Sequence, residues 1–542
     1  MTESLHIAMA QCNFLVGDIA GNCDRIINEV NKAKDRGVDL IVFSELALTG
    51  YPPEDLLLRP SLQPRVEEAL VRVAEVSDDI AVAIGFPWQE ERGLTNCAAI
   101  WFQKRCLGRY AKQCLPNYQV FDERRYFTKG KDSVVVELKG HRIGLTICED
   151  IWHQGPAEQS VAAGAEAILN LNASPFHLGK QAERYEKLSE HAKRLGVPVI
   201  YVNQIGGQDE LVFDGASFAV NKEGKVCLQL PEYQESCGDL TLDSDGQISA
   251  ISDSVSAHQD DLASLYGALV LGVKDYVNKN RFKGVVLGLS GGIDSALTLA
   301  IAVDALGADR VEAVMMPFQY TSDMSKEDAS AQARRMGVRY HNLSISPMYD
   351  AFMSALADNF QGLPRDTTEE NLQSRCRGVL LMALSNKNGY MVLTTGNKSE
   401  MAVGYATLYG DMAGGYGALK DVYKTLVFEL AKYRNSIEGE IIPERVITRP
   451  PSAELAPDQI DEDSLPPYPV LDAILKHYIE DDMSAEAIIA KGFDDADVMR
   501  VLRLVDLNEY KRRQAPIGVR VTQRGFGRDR RYPITNGWKA GI

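Results

Sequence analysis

The sequence predicts an α/β protein built from two domains. Short apolar runs alternate with amphipathic stretches of helical period through the first half of the chain, and a second series of the same kind begins near residue 284. The 542 residues also exceed what one hydrophobic core usually serves, because domains commonly contain about 100 to 200 residues. Two consecutive α/β domains are therefore the simplest interpretation.

A βαβ rhythm predicts the first domain. Residues 5–10 and 40–43 are apolar runs typical of strands, and a helical pattern at about 22–36 lies between them. A second helical pattern covers about 181–194. The further runs predicted as strands are 80–86, 98–102, 142–147, 167–170 and 197–202. We expect helices to cover the sheets that these strands form.

A polar stretch is predicted to separate the two domains. Residues 217–230 predict a β-hairpin, and acidic and polar residues follow at 232–261. We place the junction in that stretch, with a first domain at 1–250, a linker at 251–262 and a second domain at 263–542.

The second domain opens with a long helical pattern at about 258–280 and a very apolar strand at 284–289, after which another βα series follows. Residues 449–468 are rich in proline and acidic residues, which predicts a functional loop or a linker. The tail at 511–538 is locally basic and could serve phosphates or a subunit contact. Its arginines include Arg512, Arg513, Arg524, Arg528, Arg530 and Arg531.

Composition argues against several kinds of partner. A formal net charge of −17 would repel a nucleic-acid backbone. No apolar run approaches the roughly 20 residues of a transmembrane helix, and the N-terminus lacks the pattern of a signal peptide. Nine scattered cysteines without a C-x-x-C pair argue against a disulfide framework or a structural zinc site. We expect a cytoplasmic protein with reduced thiols and with neither nucleic acid nor membrane as a partner.

Three predicted strand ends in the first half each carry a reactive side chain, namely Glu45, Lys112 and Cys148. A cysteine that attacks an amide needs a base for its proton and a cation for the tetrahedral oxyanion, and a carboxylate and an ammonium can fill these roles. A single cysteine after an apolar strand is more often a buried hydrophobic residue, so the three residues gain weight only together. Cys114 is a competing thiol, but its surroundings in the sequence offer it no base.

The segments around these residues resemble the nitrilase superfamily of carbon-nitrogen hydrolases. The resemblance covers about residues 4–240 and implies a four-layer α-β-β-α sandwich. The matching motifs are FSELALTGY at 43–51, KQCLPNYQVFDERRYF at 112–127 and ICEDIW at 147–152.

The resemblance also implies a role for each reactive residue. Cys148 is the implied nucleophile, Glu45 the general base and Lys112 the oxyanion partner, with Glu123 as a supporting carboxylate. The residues that it places at the amino-acid end of an L-glutamine substrate are Tyr118, Ser174 and Lys180.

A glycine-rich loop in the second half predicts a phosphate site. It follows an apolar strand and precedes a helical stretch, so backbone amides and the positive end of the helix can approach an anion. Two serine hydroxyls can add donors, and Asp294 could hold a magnesium ion. The loop reads Gly288, Leu289, Ser290, Gly291, Gly292, Ile293, Asp294 and Ser295.

Two other interpretations of this loop have to be weighed. The G-x-x-x-x-G-K-[ST] pattern of P-loop NTPases is absent from the sequence, which disfavours an enzyme that transfers the γ-phosphoryl group of ATP. The loop also matches G-x-S-x-G, the nucleophile elbow of α/β-hydrolases, but the histidines that follow it, His341 and His477, lie in no recognisable triad setting. The segment SGGIDS instead resembles the PP-loop of enzymes that split ATP between its α and β phosphates.

Five further motifs resemble the NAD synthetase family, over roughly residues 263–538. Together with the amidase-like first half, they make the whole chain similar to the family of glutamine-dependent NAD synthetases. The motifs are NLQSRCR at 371–377, TTGNKSE at 394–400, YGDMAGGY at 409–416, PSAEL at 451–455 and YKRRQAP at 510–516.

This second resemblance implies a doubly wound parallel-sheet PP-loop domain and a set of ligands. ATP would bind the loop at 288–295 and Thr395, and Mg²⁺ would bind Asp294 and Glu400. Lys424 and Ser452 are placed near the phosphates. The implied contacts of deamido-NAD are Asn371, Arg375, Glu400 and Lys511. For a single lysine or arginine the commoner fate is an exposed salt bridge, so only the motif settings support these assignments.

The implied activity is a glutamine-hydrolysing ligase that amidates deamido-NAD through an adenylated intermediate, and the resemblance implies a homo-oligomer. No G-x-G-x-x-G fingerprint follows a predicted strand, so the dinucleotide is expected as a substrate and not as a hydride carrier. Two alternatives stay open from the sequence. One is another PP-loop amidating ligase, and the other is an amidase with a nucleotide-sensing domain.

Overall fold

The computed structural model describes residues 4–251, 256, 259–456, 459, 461–463 and 465–538. Backbone contacts divide the chain into two compact units. The first contains Met1–Gln208 and Val212–Asp261, and the second contains Asp209–Leu211 and Leu262–Ile542. The domain limits 1–250, 251–262 and 263–542 stay predictions.

The described residues before position 251 form strands and helices in alternation. The strands are β1 (Leu5–Gln11), β2 (Leu40–Val42), β3 (Ala81–Glu90), β4 (Gly93–Phe102), β5 (Arg105–Ala111), β6 (Val135–Leu138), β7 (His141–Ile147), β8 (Ala167–Asn172), β9 (Val199–Asn203), β10 (Ile205–Gln208), β11 (Leu211–Asp214), β12 (Phe218–Val220), β13 (Val226–Gln229), β14 (Ser236–Leu242) and β15 (Ile248–Ala250). The helices are α1 (Ile19–Asp35), α2 (Leu62–Glu75), α3 (Pro156–Ala162) and α4 (Lys180–Leu195).

Two sheets of the first unit pack face to face. One has the order β15-β14-β1-β2-β3-β4-β5 and the other β13-β12-β9-β8-β7-β6. A single buried cluster contains side chains of both sheets, among them Met9, Val42, Leu145 and Leu169. Helices α1 and α2 pack together beside β3, and α3 and α4 contact the second sheet at β7 and β12. The predicted α-β-β-α sandwich is confirmed.

Strands β14 and β15 lie in the polar stretch where we placed the domain junction. Strand β14 pairs antiparallel with the whole of β1, from Leu5 with Leu242 to Gln11 with Ser236. Its buried residues Leu240 and Leu242 alternate with the more exposed Asp239 and Thr241. This is the pattern of a strand with one buried face, and its polar positions led us to predict a linker-like stretch instead. The hairpin predicted at 217–230 is confirmed by the antiparallel pair of β12 and β13.

The second unit is organised around a parallel sheet. Its strands are β16 (Val285–Gly288), β17 (Val311–Met315), β18 (Arg339–Asn342), β19 (Met391–Thr394) and β20 (Tyr416–Gly417). Its helices are α5 (Asp261–Lys279), α6 (Ile293–Leu306), α7 (Asp323–Arg335), α8 (Ser346–Ala355), α9 (Thr367–Asn388), α10 (Lys398–Val403), α11 (Lys424–Glu438), α12 (Glu444–Thr448), α13 (Tyr468–Ile479), α14 (Ala485–Ile489), α15 (Asp495–Leu507) and α16 (Glu509–Arg512).

The strand order β18-β17-β16-β19-β20 confirms the doubly wound fold. All four strand pairs are parallel. Helix α9 packs on β16 and β19, and α6 packs on β16 and β17. The order reverses between β16 and β19, and ligands of such sheets bind in the crevice at the carboxyl ends of the strands on either side of that point.

Two arginines of the basic tail are used inside the second unit. Arg512 donates to a carboxylate oxygen of Glu509 at 3.0 Å, and Arg530 donates to the same oxygen at 3.4 Å. Both arginines are at most 5% exposed, so their guanidinium groups are used in contacts within the fold. Among the residues described, no helix is long and apolar enough to cross a membrane.

Candidate active sites

Cys148 begins a single 3-10 turn, Cys148–Trp152, directly after β7. Its φ of +43° lies in the left-handed region, which is costly for a residue with a side chain and is often found at functional sites. Burial raises the pKa of the Cys148 thiol well above its usual value, and the carboxylate of Glu45 raises it further. The thiol therefore rests protonated, and any nucleophilic attack by it needs a base.

Glu45 and Lys112 are bonded to each other beside this thiol. The Nζ of Lys112 donates to Glu45 Oε1 at 2.7 Å and to Glu123 Oε1 at 2.8 Å. Asn96 donates to Glu45 Oε1 at 2.7 Å, and the backbone N–H of Ala173 donates to Glu45 Oε2 at 3.1 Å. The charges of Glu45 and Lys112 both shift the pKa of the Cys148 thiol, so the three side chains predicted for catalysis are close enough to interact.

The lysine stays charged in this buried position. Burial lowers the pKa of Lys112, but the carboxylates of Glu123 and Glu45 raise it well above its usual value. Burial raises the pKa of Glu123 to about 7, against the opposing effect of Lys112. Tyr51 donates to the same Glu123 oxygen at 2.9 Å. Two carboxylates thus share the hydrogen bonds of one ammonium group.

Asp150, which the sequence analysis did not single out, joins the loop of Lys112 to the turn of Cys148. Its Oδ1 accepts the backbone N–H groups of Gln113 at 3.1 Å and Cys114 at 2.8 Å. Its Oδ2 accepts from Tyr110 at 2.7 Å and from the backbone N–H of Ile147 at 3.0 Å. The sequence did contain a signal for this role. Asp150 is the third residue of a helical turn, and an acidic residue there often accepts the backbone N–H of the residue before the turn.

Cys114, the competing cysteine, keeps its side chain in the protonated thiol form. Burial raises its pKa to about 12, and the neighbouring carboxylate of Asp150 raises it further. That carboxylate is already bonded to four donors, so it is poorly placed to act as a base for Cys114.

The three residues predicted to hold glutamine also lie around the Cys148 turn. Tyr118 donates to both carboxylate oxygens of Glu149 at 3.0 Å. The Nζ of Lys180 lies 4.0 Å from the ring centre of Trp152, at the end of the turn, and burial lowers its pKa. Ser174 is buried and follows Ala173, whose N–H binds Glu45. The geometry is compatible with the predicted roles, which stay predictions.

The loop at 288–295 connects β16 to α6 and is folded by its own serines. Ser295 Oγ accepts the backbone N–H of Ser290 at 3.2 Å and donates to the carbonyl of Gly292 at 2.9 Å. Gly291 has a φ of +84°, and a Cβ there would lie 2.4 Å from the carbonyl oxygen of Ser325. Thr395 follows β19, the parallel neighbour of β16, so it lies at the same edge of the sheet.

Asp294 and Glu400 both accept hydrogen bonds from one lysine. The ammonium of Lys424 donates to Asp294 Oδ2, and also to Glu400 Oε1 at 3.1 Å. Burial raises the pKa of Glu400 to about 8, although Lys424 opposes the shift. Asn397 donates to the other oxygen of Asp294 at 2.8 Å.

This pair of carboxylates fits Mg²⁺, which proteins usually bind through one or two carboxylates together with substrate phosphates and water. Among the described residues, no group of three or more histidine, cysteine, aspartate or glutamate side chains forms a complete metal cage. Asp294 and Glu400 could contribute the two carboxylates of a magnesium site that nucleotide phosphates and water complete.

The remaining residues predicted for deamido-NAD meet at the segment 404–408. Thr407 donates to Asn371 Oδ1 at 2.8 Å, and Arg375 donates to the carbonyl of Leu408 at 3.2 Å. Lys511 donates to the carbonyl of Gly404 at 2.8 Å and to that of Ala406 at 2.9 Å. Ser452 is used within its own loop, where it donates to the carbonyl of Gln459.

A cavity lies at the carboxyl end of β19, beside Glu400 and the segment 404–408. It also contains Asp411 and Lys420, which were not predicted as site residues. Asp411 stands in the motif at 409–416, which is the signal that could have found it, whereas Lys420 has no such signal. Burial raises the pKa of Asp411 and lowers that of Lys420. The residues that line the cavity are Thr394, Gly396, Glu400, Met401, Ala406, Asp411, Met412, Lys420, Ala515 and Pro516.

Family models match both halves of the chain. The model described as carbon-nitrogen hydrolase covers residues 6–249, and the model described as NAD synthase covers residues 265–515. A chain with both domains is of the class of amide-forming ligases that contain their own amidohydrolase. The glutamine-dependent NAD(+) synthetase of Acinetobacter baylyi is 54% identical over 539 residues, which are 99% of each chain. The chain belongs to the family of glutamine-dependent NAD(+) synthetases.

Solved structures agree with this assignment. The glutamine-dependent NAD+ synthetase of Acinetobacter baumannii in complex with ADP is 51% identical, covers 100% of both chains and superposes with a TM-score of 0.81. The enzyme of the same name from Cytophaga hutchinsonii is 23% identical over 98% of both chains and has a TM-score of 0.85, which shows the shared fold.

Proposed function

We propose that the chain hydrolyses L-glutamine in its first unit and uses the ammonia to amidate deamido-NAD with ATP in its second unit. The products are NAD⁺, glutamate, AMP and pyrophosphate. The observation that carries the proposal is that one chain contains a buried cysteine under the charges of Glu45 and Lys112 and also a PP-type loop at the switch point of a parallel sheet. We also propose a homo-oligomer, as the family resemblance implies.

In the first unit, Glu45 takes the proton of the Cys148 thiol while the sulfur attacks the side-chain amide of glutamine. A base is needed because the thiol rests protonated. The ammonium of Lys112 stabilises the tetrahedral oxyanion. Ammonia leaves, and water then releases glutamate from the thioester.

In the second unit, the nicotinate carboxylate attacks the α-phosphorus of ATP, and pyrophosphate leaves. The backbone of the loop at 288–295 and the N-terminus of α6 bind the phosphates. Mg²⁺ held by Asp294 and Glu400 would neutralise part of the phosphate charge. Ammonia then displaces AMP from the mixed anhydride and leaves the amide.

The test is product analysis with purified full-length chain. Given ATP, magnesium, deamido-NAD and glutamine, the chain should form NAD⁺, AMP and glutamate in equal amounts, as measured by mass spectrometry. Cys148→Ala should abolish glutamine-driven NAD⁺ formation and keep the ammonium-driven reaction. Loss of both activities would contradict the division of labour. AMP formation only with another carboxylic acid would indicate a different ligase, and no AMP with any substrate would indicate a nucleotide sensor.

A further inference from the structure

Arg184 lies fully buried beneath the proposed glutamine site. Its side chain is 0% exposed and its Nη1 donates to Asp214 Oδ2 at 2.6 Å and to Gln181 Oε1 at 2.9 Å. Its other terminal nitrogen, Nη2, donates to the carbonyl of Ser174 at 2.9 Å and to the Oγ of Ser174 at 3.2 Å. One planar group therefore joins the ion pair to a residue predicted to touch the substrate.

The second bond fixes how the hydroxyl of Ser174 is used. A guanidinium can only donate hydrogen bonds, so the Oγ must accept from it. The hydroxyl hydrogen then points away from Arg184 and can be donated to another acceptor, such as the neighbouring Tyr201 hydroxyl or a bound carboxylate. A donor is what the α-carboxylate of glutamine requires, whereas a hydroxyl free to rotate would spend part of its time with a lone pair directed at that carboxylate.

The backbone around Ser174 is held by further contacts of the same network. Asn203 accepts the N–H of Ser174 at 2.9 Å and donates to its carbonyl at 3.2 Å. Ala173, the preceding residue, donates to Glu45 at 3.1 Å. Asn203 and Glu45 thus hold the backbone of this segment by contacts that do not involve Arg184.

We propose that Arg184 is a positioning residue for glutamine affinity, which orients the Ser174 hydroxyl as a donor to the α-carboxylate of the substrate while Asp214 neutralises the guanidinium charge. The inference rests on the proposed function, in which Ser174 contacts glutamine. Charge neutralisation matters because an unpaired buried guanidinium would be strongly destabilising. The network thus acts on binding and leaves the thiol chemistry to Cys148.

The test is a double-mutant cycle in the full-length chain, with KM for glutamine and kcat measured from glutamate release. Arg184→Lys keeps the positive charge beside Asp214 but cannot make the forked contact with Ser174. We expect Ser174→Ala and Arg184→Lys each to raise KM about tenfold with kcat within about twofold, because a hydrogen bond to a charged group is lost in each. In the Ser174→Ala background, Arg184→Lys should add less than about twofold.

Controls separate this idea from a purely structural role. Arg194→Lys makes the same exchange on the same helix, at a side chain 36% exposed, and should leave KM unchanged. Ammonium-driven NAD⁺ formation should stay at the wild-type level in every variant. Should Arg184→Lys fail to accumulate as folded protein, the same cycle with Gln181→Leu, which removes a neutral contact of the guanidinium and keeps its ion pair with Asp214, should raise KM in the same direction.

Three outcomes would overturn the inference. An unchanged KM in Ser174→Ala removes the proposed glutamine contact itself, and the inference with it. A raised KM in Ser174→Ala beside a wild-type KM in Arg184→Lys removes only the role of Arg184 and leaves the proposed function standing. Additive effects in the double variant mean that Arg184 does not act through Ser174.

Discussion

Replacing Lys112 by methionine leaves two buried carboxylates next to each other without their shared cation. Both Glu45 Oε1 and Glu123 Oε1 lie within hydrogen-bond distance of the same Lys112 nitrogen, and all three side chains are at most 6% exposed. Removing one partner of a buried ion pair typically destabilises a protein by about 3 to 5 kcal/mol. We expect Lys112→Met to lose stability in that range at neutral pH and to lose glutamine-driven NAD⁺ formation.

The loss should also depend on pH with a defined sign. In the wild-type chain, the pKa of Glu123 is raised from 4.5 to about 7. A carboxyl group whose pKa is raised by folding stabilises the fold below its unfolded value, and this contribution is lost as the pH rises through the folded value. In Lys112→Met the ammonium no longer opposes the shift, so the pKa rises further and the loss continues above pH 7, at up to about 1.4 kcal/mol per pH unit. The deficit relative to wild type should therefore grow between pH 7 and pH 8.5.

Urea unfolding followed by tryptophan fluorescence can measure this. Of the four tryptophans, Trp88, Trp101 and Trp152 belong to the first unit, so the signal reports mainly on the fold around Lys112. The variant Lys112→Met/Glu123→Gln removes one of the two carboxylates and should recover most of the deficit. An equal deficit at both pH values, or no recovery in the double variant, would refute the reasoning.

Three further substitutions test other parts of the proposed sites. Gly291→Ala should abolish AMP formation and destabilise the fold by at least about 1 kcal/mol more than the control Gly307→Ala. Both glycines have a positive φ, but only at Gly291 would the new Cβ collide with the carbonyl of Ser325. Thermal unfolding and AMP release measure the two effects. Asp150→Asn should lower kcat for glutamine hydrolysis about tenfold or more, since an amide cannot replace all four accepted bonds, and ammonium-driven synthesis should be unaffected. Glu400→Gln should raise the magnesium concentration needed for half-maximal AMP formation with either nitrogen source, and an unchanged magnesium dependence would exclude Glu400 as a ligand.

Local patterns in the sequence predicted the residues that lie at strand ends. Glu45, Cys148 and the loop at 288–295 each follow an apolar run, and such runs are buried strands whose carboxyl ends collect functional groups in parallel sheets. The period of the hydrophobic residues is thus enough to place these groups at an edge.

Partners that meet only in three dimensions could not be predicted in this way. Arg184 occupies an ordinary position in a charged helix, and its partner Asp214 lies 30 residues further along the chain. Asp150 stands in a quoted motif, yet its bonds to Gln113 and Cys114 follow from the packing of two different sheets, which contain β7 and β5. Strand β14 was missed because its inward leucines alternate with polar residues on the solvent side.

In both proposed sites a lysine ammonium lies between two carboxylates. The two sites differ in how far these carboxylate side chains are exposed to solvent. In the first unit, Lys112 and Glu45 are 0% exposed, so their attraction is weakly screened and no ion from solution can replace the ammonium without opening the fold. In the second unit, Asp294 and Glu400 keep 18% and 16% of their side chains exposed beside Lys424. This exposure is compatible with the proposed magnesium ion, which would arrive with the phosphates of ATP, whereas the buried set is compatible with the proposed fixed oxyanion partner.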